Sequence, residues 1–206
     1  MNVIVGLDES GNGAIAGPLV VAALAFPVTA AAPLVRLVRA RSVAEVTPCD
    51  SKKVKDAAER ATIAAECLRV ALASCTSQVD AAELDTMLVA GALRKAAGAA
   101  LRGCVDQVFG KHPDAEVTIV VDGKLDLHFQ PRPRCHVEYV AGADASRWQV
   151  GAASLVARSN VDRVMGEVHR RFPAYGFAQH CGYATPKHLE TLRTLGPCAE
   201  HRRTFR

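Results

Sequence analysis

Apolar positions along this chain fall into short runs and helical stripes, and their order predicts a layered α/β protein. Asn2 to Leu7 reads as a short buried strand that ends at a carboxylate pair, Asp8-Glu9. Gly11-Asn12-Gly13 is turn chemistry, because glycine tolerates φ > 0. Pro18 to Phe26 reads as a second strand, so the first unit is a hairpin with a glycine-rich connection. Pro33 to Arg39 reads as a short helix. Asp56 to about Arg69 is helical, with Ala57, Ala61, Ala64, Ala65 and Leu68 on one stripe. Val70 to Val79 alternates as a strand. Asp80 then serves as N-cap of a long helix to about Phe109, with Leu84, Met87, Leu88, Leu93 and Leu101 on its apolar side.

Val117 to Val121 is a β-branched run of the kind found in fully buried strands, and it ends at Asp122-Gly123. Cys135 to Val140 is a further strand. From about Ser146 to Arg171 the helical stripe returns (Val150, Ala153, Leu155, Val156, Val161, Val164, Val168), and Pro173 stops it. A last helix spans Pro186 to Leu195, with proline at its start and Gly196 after its end. Helices interleaved with buried strands point to an α/β fold.

Composition narrows the class. A chain of 206 residues with 50% hydrophobic and 22% charged residues can bury an ordinary core and is not disordered. That length favours one domain over residues 1–206. The formal charge of +4 permits a nucleic-acid or phosphate partner without demanding one. The first apolar run is broken at once by Asp8 and Glu9, so a secretory signal is not expected. The longest apolar run, Pro18 to Val28, is too short to span a bilayer. Seven cysteines without a C-x-x-C pair argue against a disulfide framework and a zinc site, and suit core packing in a reducing compartment. A cytoplasmic protein that binds no membrane is expected.

The chemistry lies in the carboxylates. Asp8-Glu9 and Asp122 end strands beside glycines, and Asp144 follows Gly142-Ala143 just before a helix. Such positions can converge on one edge of a sheet. Consecutive strand residues point to opposite faces, so Asp8 and Glu9 share a site only if the chain bends there or if one supplies an outer shell. Oxygen ligands of this kind suit Mg²⁺ or Mn²⁺, and two such ions support in-line phosphodiester hydrolysis. Taken alone, strand-end aspartates serve equally as turn and cap residues.

Several blocks together resemble ribonuclease HII, a type 2 ribonuclease H family. Gly6-Leu7-Asp8-Glu9-Ser10-Gly11-Asn12-Gly13-Ala14-Ile15-Ala16-Gly17-Pro18-Leu19-Val20 is similar to its opening motif. Asp50-Ser51-Lys52-Lys53, Val121-Asp122-Gly123, and Gly142-Ala143-Asp144 with Ala152-Ala153-Ser154-Leu155-Val156-Ala157-Arg158 follow in family order. Tyr175-Gly176-Phe177, Gly182-Tyr183, Thr185, His188-Leu189, Leu195-Gly196-Pro197 and His201-Arg202-Arg203-Thr204-Phe205 resemble the closing region.

The resemblance implies an RNase H-like fold: a mixed central sheet flanked by helices, with C-terminal helices (about 173–206) completing a groove. It implies endonucleolytic cleavage of RNA–DNA hybrids, and of duplex DNA at embedded ribonucleotides, leaving 5′-phosphate and 3′-hydroxyl ends. Asp8, Glu9, Asp122 and Asp144 would be the catalytic and metal-binding residues of a two-ion Mg²⁺ or Mn²⁺ site. Gly11, Asn12 and Gly13 would touch the ribose 2′-hydroxyl, the group that separates RNA from DNA. Tyr183 would stack at the RNA-to-DNA junction. Lys52, Ser154 and Arg158 complete the expected substrate-binding set. His188, His201 and Trp148 read as structural. With no segment after the closing block to serve as a docking peptide, a monomer acting alone on nucleic acid is expected.

Three positions depart from the family pattern. Asn12 stands where ribonuclease HII usually has Arg or Lys and where the sister family, ribonuclease HIII, usually has Thr. It removes a positive charge near phosphate, and a ribonuclease HIII-like preference for consecutive ribonucleotides is the alternative it raises. Cys181 replaces a basic residue before Gly-Tyr, and Lys124 follows Asp122-Gly123. A non-catalytic hybrid-binding module is a third reading, which the intact acidic set opposes, since clustered carboxylates repel phosphate without metal.

Overall fold

Alternation along the strands sorts side chains onto two faces, and each face is covered by helices. The structure, a computed structural model, describes residues 1–39, 42–48, 50–123, 127, 129 and 132–205. Strands β1 (Asn2–Ser10), β2 (Leu19–Pro27), β5 (Ala73–Val79), β6 (Glu116–Asp122) and β7 (Cys135–Val140) form one sheet in the order β5-β2-β1-β6-β7. β2 runs antiparallel to both β1 and β5, whereas β1, β6 and β7 are mutually parallel. The sheet is therefore mixed.

On one face, Val3, Val5 and Leu7 of β1 join Val21 and Ala23 of β2 and Val117 and Ile119 of β6. They pack on α3 (Val89–Lys111), whose Ala92, Ala96, Ala97, Ala100, Leu101, Cys104 and Val108 recur every three or four residues. On the other face, Val20, Ala22, Leu24 and Phe26 of β2 meet α5 (Trp148–Arg171) and α1 (Ala57–Val70). α5 lies almost on the backbone of β1. A Cβ at Gly6 would collide with the Gln149 carbonyl, so only glycine permits that approach.

Local signals account for most boundaries. Asp56 caps α1 by accepting from the Glu59 amide at 2.9 Å, and Thr185 caps α7 (Pro186–Leu195) by accepting from the His188 amide at 3.3 Å. Two predicted elements need correction. Pro33–Arg39 is no helix: Val35–Arg39 is strand β3, paired antiparallel with β4 (Ser42–Val46). Val35 and Leu37, two residues apart, enter the second core cluster, so period two outweighed helical spacing. The long helix expected from Asp80 is broken into α2 (Ala81–Leu84) and α3. At the break, the Asp85 carboxylate accepts from the Arg203 and Thr204 amides, each at 2.9 Å, and so holds the C-terminal segment.

After α5 the chain makes a 3-10 turn (Pro173–Tyr175), the short α6 (Phe177–His180) and α7. It then returns along the hairpin: Gly17 donates to the Glu200 carbonyl, Arg202 donates to the Ile15 carbonyl, and Ala16 bridges His201. Among the described residues, no helix is long and apolar enough to cross a membrane. The six described cysteines are free, and Cys67, Cys104, Cys135 and Cys181 lie within the core clusters. Lys124 and Cys49 fall outside the described residues.

Candidate active site

The cleft opens at the carboxyl ends of the three parallel strands, the edge where open α/β sheets bind ligands. β1 pairs with β6 only as far as Leu7↔Val121, so Asp8, Glu9 and Ser10 project past their parallel neighbour. No bend brings Asp8 and Glu9 together. The strand continues through both, with Asp8 opposite Ala22 and Glu9 opposite Val21. Asp8 lies on the α5 side and is buried, and Glu9 lies on the α3 side; both reach the cleft because it wraps the free end of β1.

Asp122 ends β6, and Gly123 turns the chain at φ +70°. The Asp122 Oδ1 atom accepts from the Ala143 amide at 2.9 Å. That bond holds the start of α4 (Ala143–Ser146), which carries Asp144, so the two carboxylates are fixed to one another through the backbone. The Ser154 hydroxyl of α5 lies beside Asp8 and favours its charged form, and it stands 3.0 Å from the hydroxyl of Ser51. The 3-10 turn Ser51–Lys53 is thereby tied to the acidic group and presents Lys52, whose Nζ lies 3.9 Å from Asp144 Oδ2.

Gly11, Asn12 and Gly13 form the opposite wall. Gly11 has φ +86°, and a Cβ there would run into the Pro18 carbonyl. The turn rests on the C-terminal segment, where Arg202 donates from Nη1 to the Asn12 carbonyl (3.3 Å) and from Nε to the Gly17 carbonyl (2.8 Å). Gly182 (φ +80°) packs so closely on Ala16 that no side chain fits, and its carbonyl accepts from the Ile15 and Ala16 amides. Tyr183 follows, with the Arg158 guanidinium 5.4 Å from its ring centroid.

All eleven candidate residues (Asp8, Glu9, Gly11, Asn12, Gly13, Lys52, Asp122, Asp144, Ser154, Arg158 and Tyr183) line one cleft of about 300 Å³. Ser10 and Ser51 line it too; the Asp50-Ser51-Lys52-Lys53 block carried Ser51, but nothing local marked it as a wall residue. His188 and His201 lie outside the cleft, buried and joined Nε2 to Nε2 at 3.1 Å. Trp148 packs on Phe26, ring centroids 4.5 Å apart.

Charge in the cleft is unbalanced. Burial pushes the Asp8 carboxyl well above the ordinary carboxylate range, and the neighbouring Glu9 and Asp144 charges push it further. Asp144 is raised by burial, then by Asp50 and Asp122, against a partial offset from Lys52. Among the described residues, the cation paired with Asp144 is Lys52, whose side chain is 84% exposed, so it neutralises little. A hard divalent cation fits this donor set: the ligands are oxygens, and among the described residues they lack a compensating buried charge. Among the described residues, no three carboxylate, imidazole or thiol groups already stand close enough to enclose one ion, so occupancy would draw these side chains inward.

The sheet order and the acidic cleft at its carboxyl edge define a protein of the ribonuclease H-like class. Residues 5–206 match the ribonuclease HII family. Ribonuclease HII of Burkholderia thailandensis is 34% identical over 203 residues, covering 98% of this chain and 83% of that protein. That of Paraburkholderia xenovorans is 33% identical over 204 residues, covering 99% and 72%. In structure, the chain resembles ribonuclease HII of Archaeoglobus fulgidus, solved in complex with PCNA (TM-score 0.63, 19% identity, 99% of this chain and 95% of that one). It also resembles a ribonuclease HIII, Bst-RNase HIII, in complex with Mn²⁺ (TM-score 0.53, 18% identity, 93% and 70%). The chain belongs to the ribonuclease HII family, a family of ribonuclease H enzymes.

Proposed function

We propose that this protein is a divalent-metal-dependent endoribonuclease. It hydrolyses the RNA strand of RNA–DNA hybrids and incises duplex DNA at embedded ribonucleotides, leaving 5′-phosphate and 3′-hydroxyl ends. The observation that carries this reading is the meeting of four carboxylates, a glycine turn and two cationic side chains in one cleft. The whole chain acts as one catalytic unit on this view, because the C-terminal segment supports the glycine turn.

Asp8, Glu9, Asp122 and Asp144 are the groups that would hold two Mg²⁺ or Mn²⁺ ions. Bound there, such ions supply activation of the attacking water and neutralisation of charge on the leaving 3′ oxygen. The chain's own residues do the rest. The Ala143 amide fixes Asp122 before substrate arrives, which lowers the reorganisation needed at the reacting phosphate, and the Ser154 hydroxyl beside Asp8 favours its charged form. Lys52 and Arg158 attract and align the backbone phosphates flanking the cut. The exposed backbone at Asn12 and Gly13, without a Cβ on Gly13, lets a ribose approach closely enough for its 2′-hydroxyl to be read. Tyr183 offers a flat face for the sugar or base at the junction.

The test is cleavage of two labelled duplexes in parallel, with Mg²⁺ and with Mn²⁺. One carries a single ribonucleotide in DNA and the other a continuous RNA strand on DNA. Cleavage of both, the single-ribonucleotide duplex being cut 5′ of the ribonucleotide, is expected, and Asp122→Asn abolishes it. Cleavage of the continuous hybrid alone would replace the reading with a ribonuclease HIII-like preference set by Asn12. Tight binding without cleavage of either would overturn catalysis.

A further inference from the structure

Asp162 lines no part of the cleft, yet three of the segments that build the cleft end on its carboxylate. It sits on α5 one turn beyond Arg158, with its side chain 12% exposed. Oδ2 takes both Arg60 Nε, at 2.8 Å, and its Nη2, at 2.6 Å, from a guanidinium that is itself buried. Oδ1 accepts from Arg158 Nε at 3.1 Å and from the Cys181 thiol at 3.4 Å. Both carboxylate oxygens are thus occupied by charge-assisted donors, Oδ2 by Arg60 and Oδ1 by Arg158 and Cys181, which fixes the carboxylate from two sides.

Each partner passes that placement to a different wall. Arg60 uses its remaining Nη1 to donate to the Val54 and Lys55 carbonyls, at 2.6 and 2.7 Å, and so closes the chain just after the Ser51–Lys53 turn that presents Lys52. Arg158 gives Asp162 only its Nε–H, and the guanidinium beyond it lies over Tyr183 in the cleft. Cys181, held in the left-handed region at φ +47°, immediately precedes Gly182-Tyr183. Burial and the Asp162 charge raise the Cys181 thiol, so it stays a protonated donor at neutral pH. Two guanidinium groups share one carboxylate here, which leaves an excess positive charge directed at the cleft.

We propose that Asp162 is a positioning residue for substrate: it sets Lys52, Arg158 and Tyr183 in mutual register so that they grip the nucleic-acid backbone as a unit. The inference rests on reading the cleft as the substrate groove. Asp162 touches neither substrate nor the carboxylates at Asp8, Glu9, Asp122 and Asp144, so its loss weakens binding and leaves the chemical step intact.

Asp162→Asn is the test, because the shape is kept while a donor amide is turned against a guanidinium. Wild-type cleavage of the continuous hybrid is measured first; its absence would sink the reading of the cleft rather than the role of Asp162. Given wild-type activity, Asp162→Asn is expected to raise KM about tenfold or more, with kcat within about threefold, the pattern of weakened uniform binding. The slope of log binding constant against log salt is expected to become shallower by about one, because one phosphate is no longer neutralised. In a Lys52→Ala/Arg158→Ala/Tyr183→Ala background the same change has an effect below about twofold, because the groups it places are gone. An unchanged KM, an equal fall in kcat with KM unmoved, or full multiplicative effects in that background would each overturn the proposal. If Asp162→Asn does not fold, Arg60→Lys gives the same decision. It keeps a charge for Asp162 but releases the Val54 and Lys55 carbonyls, and the KM rise must vanish when Lys52 is also removed.

Discussion

Gly13 and Gly11 flank the same exposed asparagine, and a methyl group on each separates folding from substrate approach. At Gly13 the backbone is outside the left-handed region and an added Cβ meets nothing within 4 Å. Gly13→Ala therefore costs the native state nothing. It removes backbone freedom from the unfolded chain, worth about 0.4–1 kcal/mol of added stability, or a melting temperature raised by up to about 4 °C. At Gly11 the added Cβ strikes the Pro18 carbonyl and the φ of +86° is strained for any other residue. The left-handed conformation alone costs roughly 1–2 kcal/mol, and the collision adds to it, so Gly11→Ala lowers the melting temperature. Thermal melts of both variants measure that contrast. Cleavage then reads the other half. If a ribose is read through the bare backbone, Gly13→Ala loses at least about tenfold in kcat/KM, some 1.4 kcal/mol, despite being as stable as the parent. Gly13→Ala that cleaves like the parent would refute substrate contact at this turn.

Two further predictions concern titration. Asp8 has its carboxyl raised in the fold, so the metal-free native state holds that proton more tightly than the unfolded chain does. Stability is lost as pH rises from the ordinary carboxylate range through the raised value. Metal-free Asp8→Asn is accordingly expected to melt above the parent at pH 7 and level with it near pH 4, and Mg²⁺ or Mn²⁺ should raise the parent's melting temperature but not the variant's. His201 titrates in the other sense. Burial first, and the neighbouring His188, pull it from 6.5 down to about 4. Its contribution is complete above 6.5 and is lost as pH falls through that window, amounting to on the order of 3 kcal/mol. His201→Asn should flatten the acid side of the stability profile, measured by urea midpoints between pH 7 and 4; a slope identical to the parent's would contradict a neutral buried imidazole.

Much of this arrangement was legible in the sequence because its signals are local. Thr185, Pro186 and Gly196 bracket α7 at the bounds read from the sequence, and the β-branched run ending at Asp122 is a buried strand as expected. The failures share one cause, a distant partner overriding a local pattern. Asp85 breaks the long helix because the C-terminal segment, over a hundred positions away, takes its carboxylate. Val35 and Leu37 choose the strand period because β4 is there to pair with them. At the cleft, local chemistry stopped at strand-end carboxylates, and it was the order of the family blocks that singled out Lys52, Arg158 and Tyr183. Asp162 carried no sequence signal at all, since its meaning lies in partners at 60, 158 and 181.

Asn12 is the position where the sequence departs most visibly from the family pattern, and the structure shows where positive charge resides instead. The Asn12 side chain is exposed, while its carbonyl is held from beneath by Arg202, a residue only 2% exposed. Burial pulls Arg202 down to about 10, which still leaves it charged at neutral pH. Its guanidinium is committed to the Asn12 and Gly17 carbonyls and lies behind the backbone, so it stiffens the turn without reaching a phosphate. A charge restored on the exposed side should therefore add to Arg202 rather than duplicate it. Asn12→Arg is expected to bind the single-ribonucleotide duplex more tightly, with a salt slope steeper by about one, as one more neutralised phosphate requires. Its melting temperature should be unchanged, because the side chain at this position is exposed. Equal salt slopes for Asn12→Arg and the parent would mean that position 12 faces sugar and not phosphate, and the cleft would then draw its phosphate affinity from the Lys52 and Arg158 side alone.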